Sequence, residues 1–136
     1  MKKSISKTLS GNDVGTTGGH QAGILVPKQE EILSFFPVLP EKEKNPRFLL
    51  VFIDDANQRW EFSFIYYNNA FFGGTRNEYR LTRMTRFIRE NNLKVGDEII
   101  LVNDGQNPLR ITYKRHTPTQ GGAKLKLSSE WKIVNI

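Results

Sequence analysis

The 136-residue chain has no cysteine, which excludes disulfide scaffolds and every thiolate metal site. Histidine is nearly absent too. His20 and His116 are the only two, flanked by Gln21 and Thr117, so neither an H-N-H metal site nor an H-x-K pair can be assembled. The glycine-rich segment around Gly15 to Gly23 lacks the Gly-Lys-Ser/Thr of a phosphate-cradling loop, and no nucleophile-elbow pattern occurs. Asp54-Asp55 reads as turn chemistry rather than as a metal pair. The sequence is therefore expected to hold no catalytic site and to need no cofactor or metal. Apolar runs are only strand-sized, so no membrane span is expected. After the basic start Met1-Lys2-Lys3 comes a polar stretch where a signal peptide would need an apolar one. The cytoplasm is the expected compartment. No repeat is visible, and the length suits one domain over residues 1–136.

What the chain does have is positive charge, +6 overall with a pI near 9.7, which points to an anionic partner. The surplus is concentrated. Between Arg76 and Arg89 stand five arginines and one acid, Glu78, a local charge of +4. Arginine offers a planar fork that fits phosphate oxygens or the O6 and N7 of guanine, where lysine is only a point charge. Arg83, Arg86 and Arg89 are predicted to share one helix face opposite Met84, Phe87 and Ile88; a merely solvated face is the plain alternative. Lys2, Lys3 and Lys7 are expected to add phosphate neutralisation.

Patterning predicts a mainly β chain with short helices. Residues 1–23 read as an extended arm or loop. Ile24-Leu25-Val26 is a short strand ended by Pro27, and 28–36 a brief helix with Ile32, Leu33 and Phe36 inward. A hairpin follows over 47–53 and 58–67, with Trp60, Phe62, Phe64 and Tyr66 sharing a face that is more often core than ligand platform. A long loop over 68–77 leads to strand 78–82, and loops of that length tend to be functional. A helix over 83–91 with Thr82 as cap, a second hairpin through Asp104-Gly105, and last strands over 124–127 and 131–136 complete a barrel or sandwich.

Two segments resemble the recognition arms of EcoRII-type restriction endonucleases. One is Leu9-Ser10-Gly11-Asn12-Asp13-Val14-Gly15-Thr16-Thr17-Gly18-Gly19-His20-Gln21-Ala22-Gly23. The other is Tyr66-Tyr67-Asn68, Phe72-Gly73, Thr75-Arg76-Asn77-Glu78, Arg80 and Thr82-Arg83, in the same order as in that family. Residues 79–97 also resemble the plant B-three DNA-binding domain. The fold implied is an open seven-stranded, B-three-like pseudobarrel whose two arms grip the major groove.

The resemblance implies a bacterial protein, a double-stranded DNA partner, and a nuclease catalytic domain elsewhere in the same polypeptide. The first arm lies within residues 1–23, with contacts expected from Ser10, Asn12, Asp13, Thr16, Thr17, Gly18, Gly19, His20 and Gln21. On the second arm they are expected from Asn68, Asn69, Thr75, Arg76, Asn77, Glu78, Arg80, Thr82 and Arg83. Glu78 would either accept from cytosine N4 or orient Arg76 or Arg80. The site implied is CC(A/T)GG or a related G/C-rich sequence. Ala70 and Phe71 depart from the family by replacing an Arg-His pair. The alternative class is a non-specific or single-stranded nucleic-acid module that stacks bases on Phe71, Phe72 or Tyr79.

Overall fold

The computed structural model describes residues 3–15, 23–105, 108–116 and 131–134. Its framework is the predicted hairpin of β3 (Arg47–Ile53) and β4 (Arg59–Tyr67). Asp54 builds the turn. Its Oδ1 accepts from the Ala56 and Gln58 amides at 2.9 and 2.8 Å, and its Oδ2 from the Trp60 indole at 2.9 Å. Burial disfavours the charged carboxylate, but these bonds outweigh it and hold Asp54 below the ordinary carboxylate range. The alternating Trp60, Phe62, Phe64 and Tyr66 are all buried, so the aromatic stripe is core. Phe36, on the turn after α2 (Glu30–Leu33), stacks on Phe64 at 4.4 Å.

The other strands are β1 (Lys3–Thr8), β2 (Ile24–Val26), β5 (Glu78–Thr82), β6 (Glu98–Asn103), β7 (Leu109–Lys114) and β8 (Trp131–Ile133). The sheet runs β2-β5-β4-β3-β7-β6-β1-β8. All neighbours are antiparallel except β3 and β7, which meet in parallel at Phe52↔Leu109 and Ile53↔Arg110. The two ends of that order approach each other. The Trp131 indole of β8 donates to the Leu25 carbonyl of β2 at 2.8 Å, giving a nearly closed barrel with the aromatic core inside. Eight strands appear among the described residues where seven were expected. Those at 124–127 lie outside the described residues.

Two local expectations are corrected. Residues 3–8 are not arm or loop but strand β1, in register with β6 from Lys3↔Asn103 to Thr8↔Glu98 and flanked by β8. The sequence Lys-Ser-Ile-Ser-Lys-Thr hides this because Ser4, Ser6 and Lys7 are buried as well as Ile5. Partners on both sides satisfy the backbone, and small hydroxyls are cheap to bury when bonded, as Ser6 is to Glu98 at 2.9 Å. The second correction concerns α3 (Thr85–Glu90), which starts later than predicted and has Met84, not Thr82, at its cap. The Thr82 hydroxyl donates instead to the Ser63 carbonyl at 3.2 Å, and Arg83 sits in the left-handed region at φ 67°. Arg83 is thus on the bend before the helix, while Met84, Phe87 and Ile88 face the core as expected. No helix among the described residues is long and apolar enough to cross a membrane.

If the Trp131 bond joins the ends of the barrel, Trp131→Phe should destabilise the chain by about 1–2 kcal/mol, since a ring is kept but the Leu25 carbonyl loses its donor. Urea unfolding measures this, and an unchanged midpoint would show that the bond contributes nothing to closure.

Candidate nucleic-acid interface

The first arm begins with a one-turn helix, α1 (Gly11–Val14), closed by a capping box. Ser10 Oγ accepts from the Asp13 amide at 3.2 Å, and Asp13 Oδ2 accepts from the Ser10 amide at 2.9 Å. Lys7 from β1 donates to the same carboxylate oxygen at 2.9 Å, with both side chains more than nine-tenths buried. An ion pair this dry persists only because further hydrogen bonds serve it; Lys7 also donates to the Thr8 carbonyl at 2.9 Å. Asp13 and Lys7 therefore anchor the root of the arm, and Lys7, buried and paired with Asp13, is not the exposed phosphate contact expected of it. Lys3 is exposed and donates to Ser34 Oγ at 2.8 Å. Asn12 is exposed on the turn. Thr16, Thr17, Gly18, Gly19, His20 and Gln21 lie outside the described residues.

The chain returns at Gly23, whose φ of 88° and close approach both demand glycine: a Cβ there would stand 2.6 Å from the Leu81 carbonyl oxygen. Its own carbonyl accepts from Arg80 Nη1 at 3.0 Å. Between the arm root and β5 opens a cleft of about 490 Å³, lined by Ser10, Asn12 and Asp13 and, from elsewhere, by Gln29, Arg80 and Trp131.

The second arm is the β4–β5 connection, and its base is rigid. Asn68 is fully buried. Its Oδ1 accepts from the Asn45 amide at 2.7 Å, and its Nδ2 donates to the Glu41 and Glu43 carbonyls at 3.2 and 2.7 Å. Its side chain is structural, contrary to the contact role expected of it. Asn69 closes the loop next to it. Its Oδ1 accepts from the Arg76 amide at 2.7 Å, and its carbonyl from the Gly74 amide at 2.7 Å. Thr75 is exposed.

From there a charged row starts at Arg76, just before β5, and continues along the outward positions Glu78 and Arg80 of that strand. The Arg76 guanidinium lies 3.8 Å from the Tyr67 ring centroid and donates to Glu78 Oε2 at 3.4 Å. Arg80 Nε donates to that same oxygen, and the row ends on Gly23. Burial opposes ionisation of Glu78, but hydrogen bonds and charge from Arg80 and Arg76 prevail, holding its pKa below the ordinary value. It is a carboxylate at neutral pH. Asn77 Oδ1 accepts from both Lys28 Nζ at 2.8 Å and Tyr66 OH at 2.7 Å.

Arg83 and Arg89 are exposed; Arg86 pairs with Glu90 and lies 5.4 Å from the Trp60 ring. Tyr79, considered above as a base platform, is partly buried against the core and stacks on Tyr66 at 4.2 Å, so that ring face is already occupied. The roles of Lys28 and Gln29 carried no sequence signal, because both sit in a polar stretch between β2 and α2. One acid-x-lysine triplet of the kind used by metal-dependent nucleases does occur, Glu130-Trp131-Lys132. Its Lys132 pairs with Glu98 at 3.1 Å and Trp131 closes the barrel; Glu130 lies outside the described residues. Among the described residues no group of three or more His, Asp or Glu is placed to hold a metal.

Known proteins share this architecture. A solved structure described as an Arabidopsis FUS3-DNA complex superposes with a TM-score of 0.62 at 23% identity, covering 82% of this chain and 96% of that one; it shows a common fold. The type II restriction enzyme EcoRII of Escherichia coli is 37% identical over 98 residues, which are 71% of this chain and 24% of that protein. The chain thus matches about a quarter of that relative's length. The family model described as restriction endonuclease EcoRII, N-terminal, matches residues 3–97, a span that contains both arm segments, α3 and every residue named above as lining the cleft except Trp131. By that match, the chain belongs to the EcoRII N-terminal domain family.

Proposed function

We propose that this chain reads double-stranded DNA by sequence through two major-groove arms, as the target-recognition or effector domain of a type II restriction endonuclease. The observation that carries the reading is the row Arg76–Glu78–Arg80, whose far end borders the cleft at the root of the first arm. An acid inside a surface meant only to attract phosphate would weaken it. A carboxylate between two guanidiniums instead fixes both forks before binding, so less side-chain entropy is lost when they meet base edges. Glu78 has about four lone-pair sites, enough to hold both arginines and still accept from cytosine N4, while Arg76 pairs with a neighbouring guanine. A G/C-rich site such as CC(A/T)GG fits this donor and acceptor set. Asn12, Asn77 and the segment 16–21 supply the remaining candidate contacts.

The cutting activity belongs, in this reading, to a separate nuclease domain of the same polypeptide. The chain itself should leave supercoiled DNA intact with Mg²⁺; nicking that follows the purified protein and vanishes when Lys132 is replaced would contradict this. Phe71 and Phe72 are 67% and 44% exposed, which favours a second reading in which unpaired bases stack on the loop. Competition separates the two: a duplex reader prefers its site over random duplex and over single strands by orders of magnitude, and a tighter single-stranded competitor would favour the second.

Selection of bound duplexes from a random library tests the proposal directly and should converge on one G/C-rich site; no enrichment would refute it. On that site Arg76→Ala should cost about 1–3 kcal/mol and relax preference at one base pair. Arg89→Ala should weaken selected and random duplexes alike, and log K should fall steeply with log salt. A uniform loss for Arg76→Ala would make that residue a backbone contact.

A further inference from the structure

The loop between β4 and β5 exposes two adjacent phenylalanines on a frame that is closed on itself. The 3-10 turn Asn69–Phe72 carries them. The Phe71 amide donates to the Asn68 carbonyl at 3.0 Å, and the Ala70 amide to the Arg76 carbonyl at 2.9 Å. Gly73 turns the chain at φ 90°. Gly74 lies so close that a Cβ there would come 2.7 Å from the Asn69 side chain. The base of the loop is pinned by buried Asn68 through its three hydrogen bonds. Exposure of Phe71 and Phe72 is therefore built into the loop and is not the fraying of a mobile tip.

Two such rings in water have a cost that burial against an apolar surface would relieve. What stands beside them identifies that surface. Arg76, which closes the same loop, begins the row of guanidiniums, and the local charge of +4 favours a polyanion over an apolar protein face. A polyanion that also offers compact apolar groups at a fixed distance from its charges is duplex DNA. Its major groove displays the 5-methyl group of thymine, the one apolar feature of the base edges, and phenylalanine suits it.

Resting on the duplex-reading function above, we infer that Phe71 and Phe72 form a pyrimidine-methyl sensor, which packs against a thymine 5-methyl next to the G·C pairs read by Arg76 and Glu78. The tip of the loop would then read apolar shape while Arg76, at its end, and Glu78, at the start of β5, read hydrogen bonds. The two kinds of contact would be held in fixed spacing by Asn69, whose side chain bonds the Arg76 amide.

The test uses the intact chain and its selected duplex, with each thymine in turn replaced by deoxyuridine, which removes the methyl and leaves every hydrogen-bonding group in place. One position should lower affinity of the unaltered protein about fourfold, the worth of one buried methyl. Phe71→Ala and Phe72→Ala are exposed changes that the fold should tolerate. At least one of them should weaken binding to the thymine duplex and show no further loss on the deoxyuridine duplex. A chain that selects its site but ignores every thymine methyl, or selects a site without thymine, overturns this inference alone. So does a deoxyuridine penalty that persists in both variants. A chain with no preference among duplexes overturns the duplex-reading function and this inference together.

Discussion

Glu78 sits between the guanidiniums of Arg76 and Arg80, and the geometry of the interface depends on that one carboxylate. Arg80 continues to the carbonyl of Gly23 at 3.0 Å, where the first arm rejoins the barrel, while Arg76 lies on Tyr67 at the foot of the second arm. A single chain of charge-assisted bonds thus links two segments more than fifty residues apart. Because these groups are only partly buried, they are screened less than a surface pair and desolvated less than a core pair. The depressed pKa of Glu78 fits this balance: burial opposes its charge, and the two arginines more than offset that.

The barrel makes the row possible. Antiparallel pairing of β5 with β4 and β2 directs Tyr79 and Leu81 into the core, and Glu78 and Arg80 to the other face. Tyr79 stacks on Tyr66 and Phe64, so the strand that carries the charges is fixed from beneath. The same logic holds at the arm root, where the buried Lys7–Asp13 pair and the capping box fix one helical turn that is too short to be stable alone. Both arms are held at their bases by polar groups satisfied inside the protein.

Much of this was legible in the sequence. Period-two aromatics marked β4, the apolar spacing of Met84, Phe87 and Ile88 marked α3, and the arginine cluster marked the charged segment. The resemblance of the two arm segments to EcoRII-type enzymes pointed to the family that the comparisons establish. What escaped were features that need a partner in space. Strand β1 looked like a polar leader because its stability comes from neighbours on both sides. Asn68 and Asp13 were expected as contacts because they fall in the two arm segments that resemble the family; amides and carboxylates suit both base edges and backbone groups, and the sequence does not show that these two are buried. Lys28 and Gln29 could be found only once β2 was placed beside β5.

The affinity of Glu78→Gln for its selected duplex and for random duplex, at one fixed salt concentration, shows whether this carboxylate positions the two arginines. The substitution adds one unit of positive charge, so a surface that works by bulk attraction would bind both duplexes more tightly. A row that positions its arginines through Glu78 should instead lose about tenfold on the selected duplex, while random duplex binds as well as before or better. Tighter binding to both would show that Glu78 does not position the arginines.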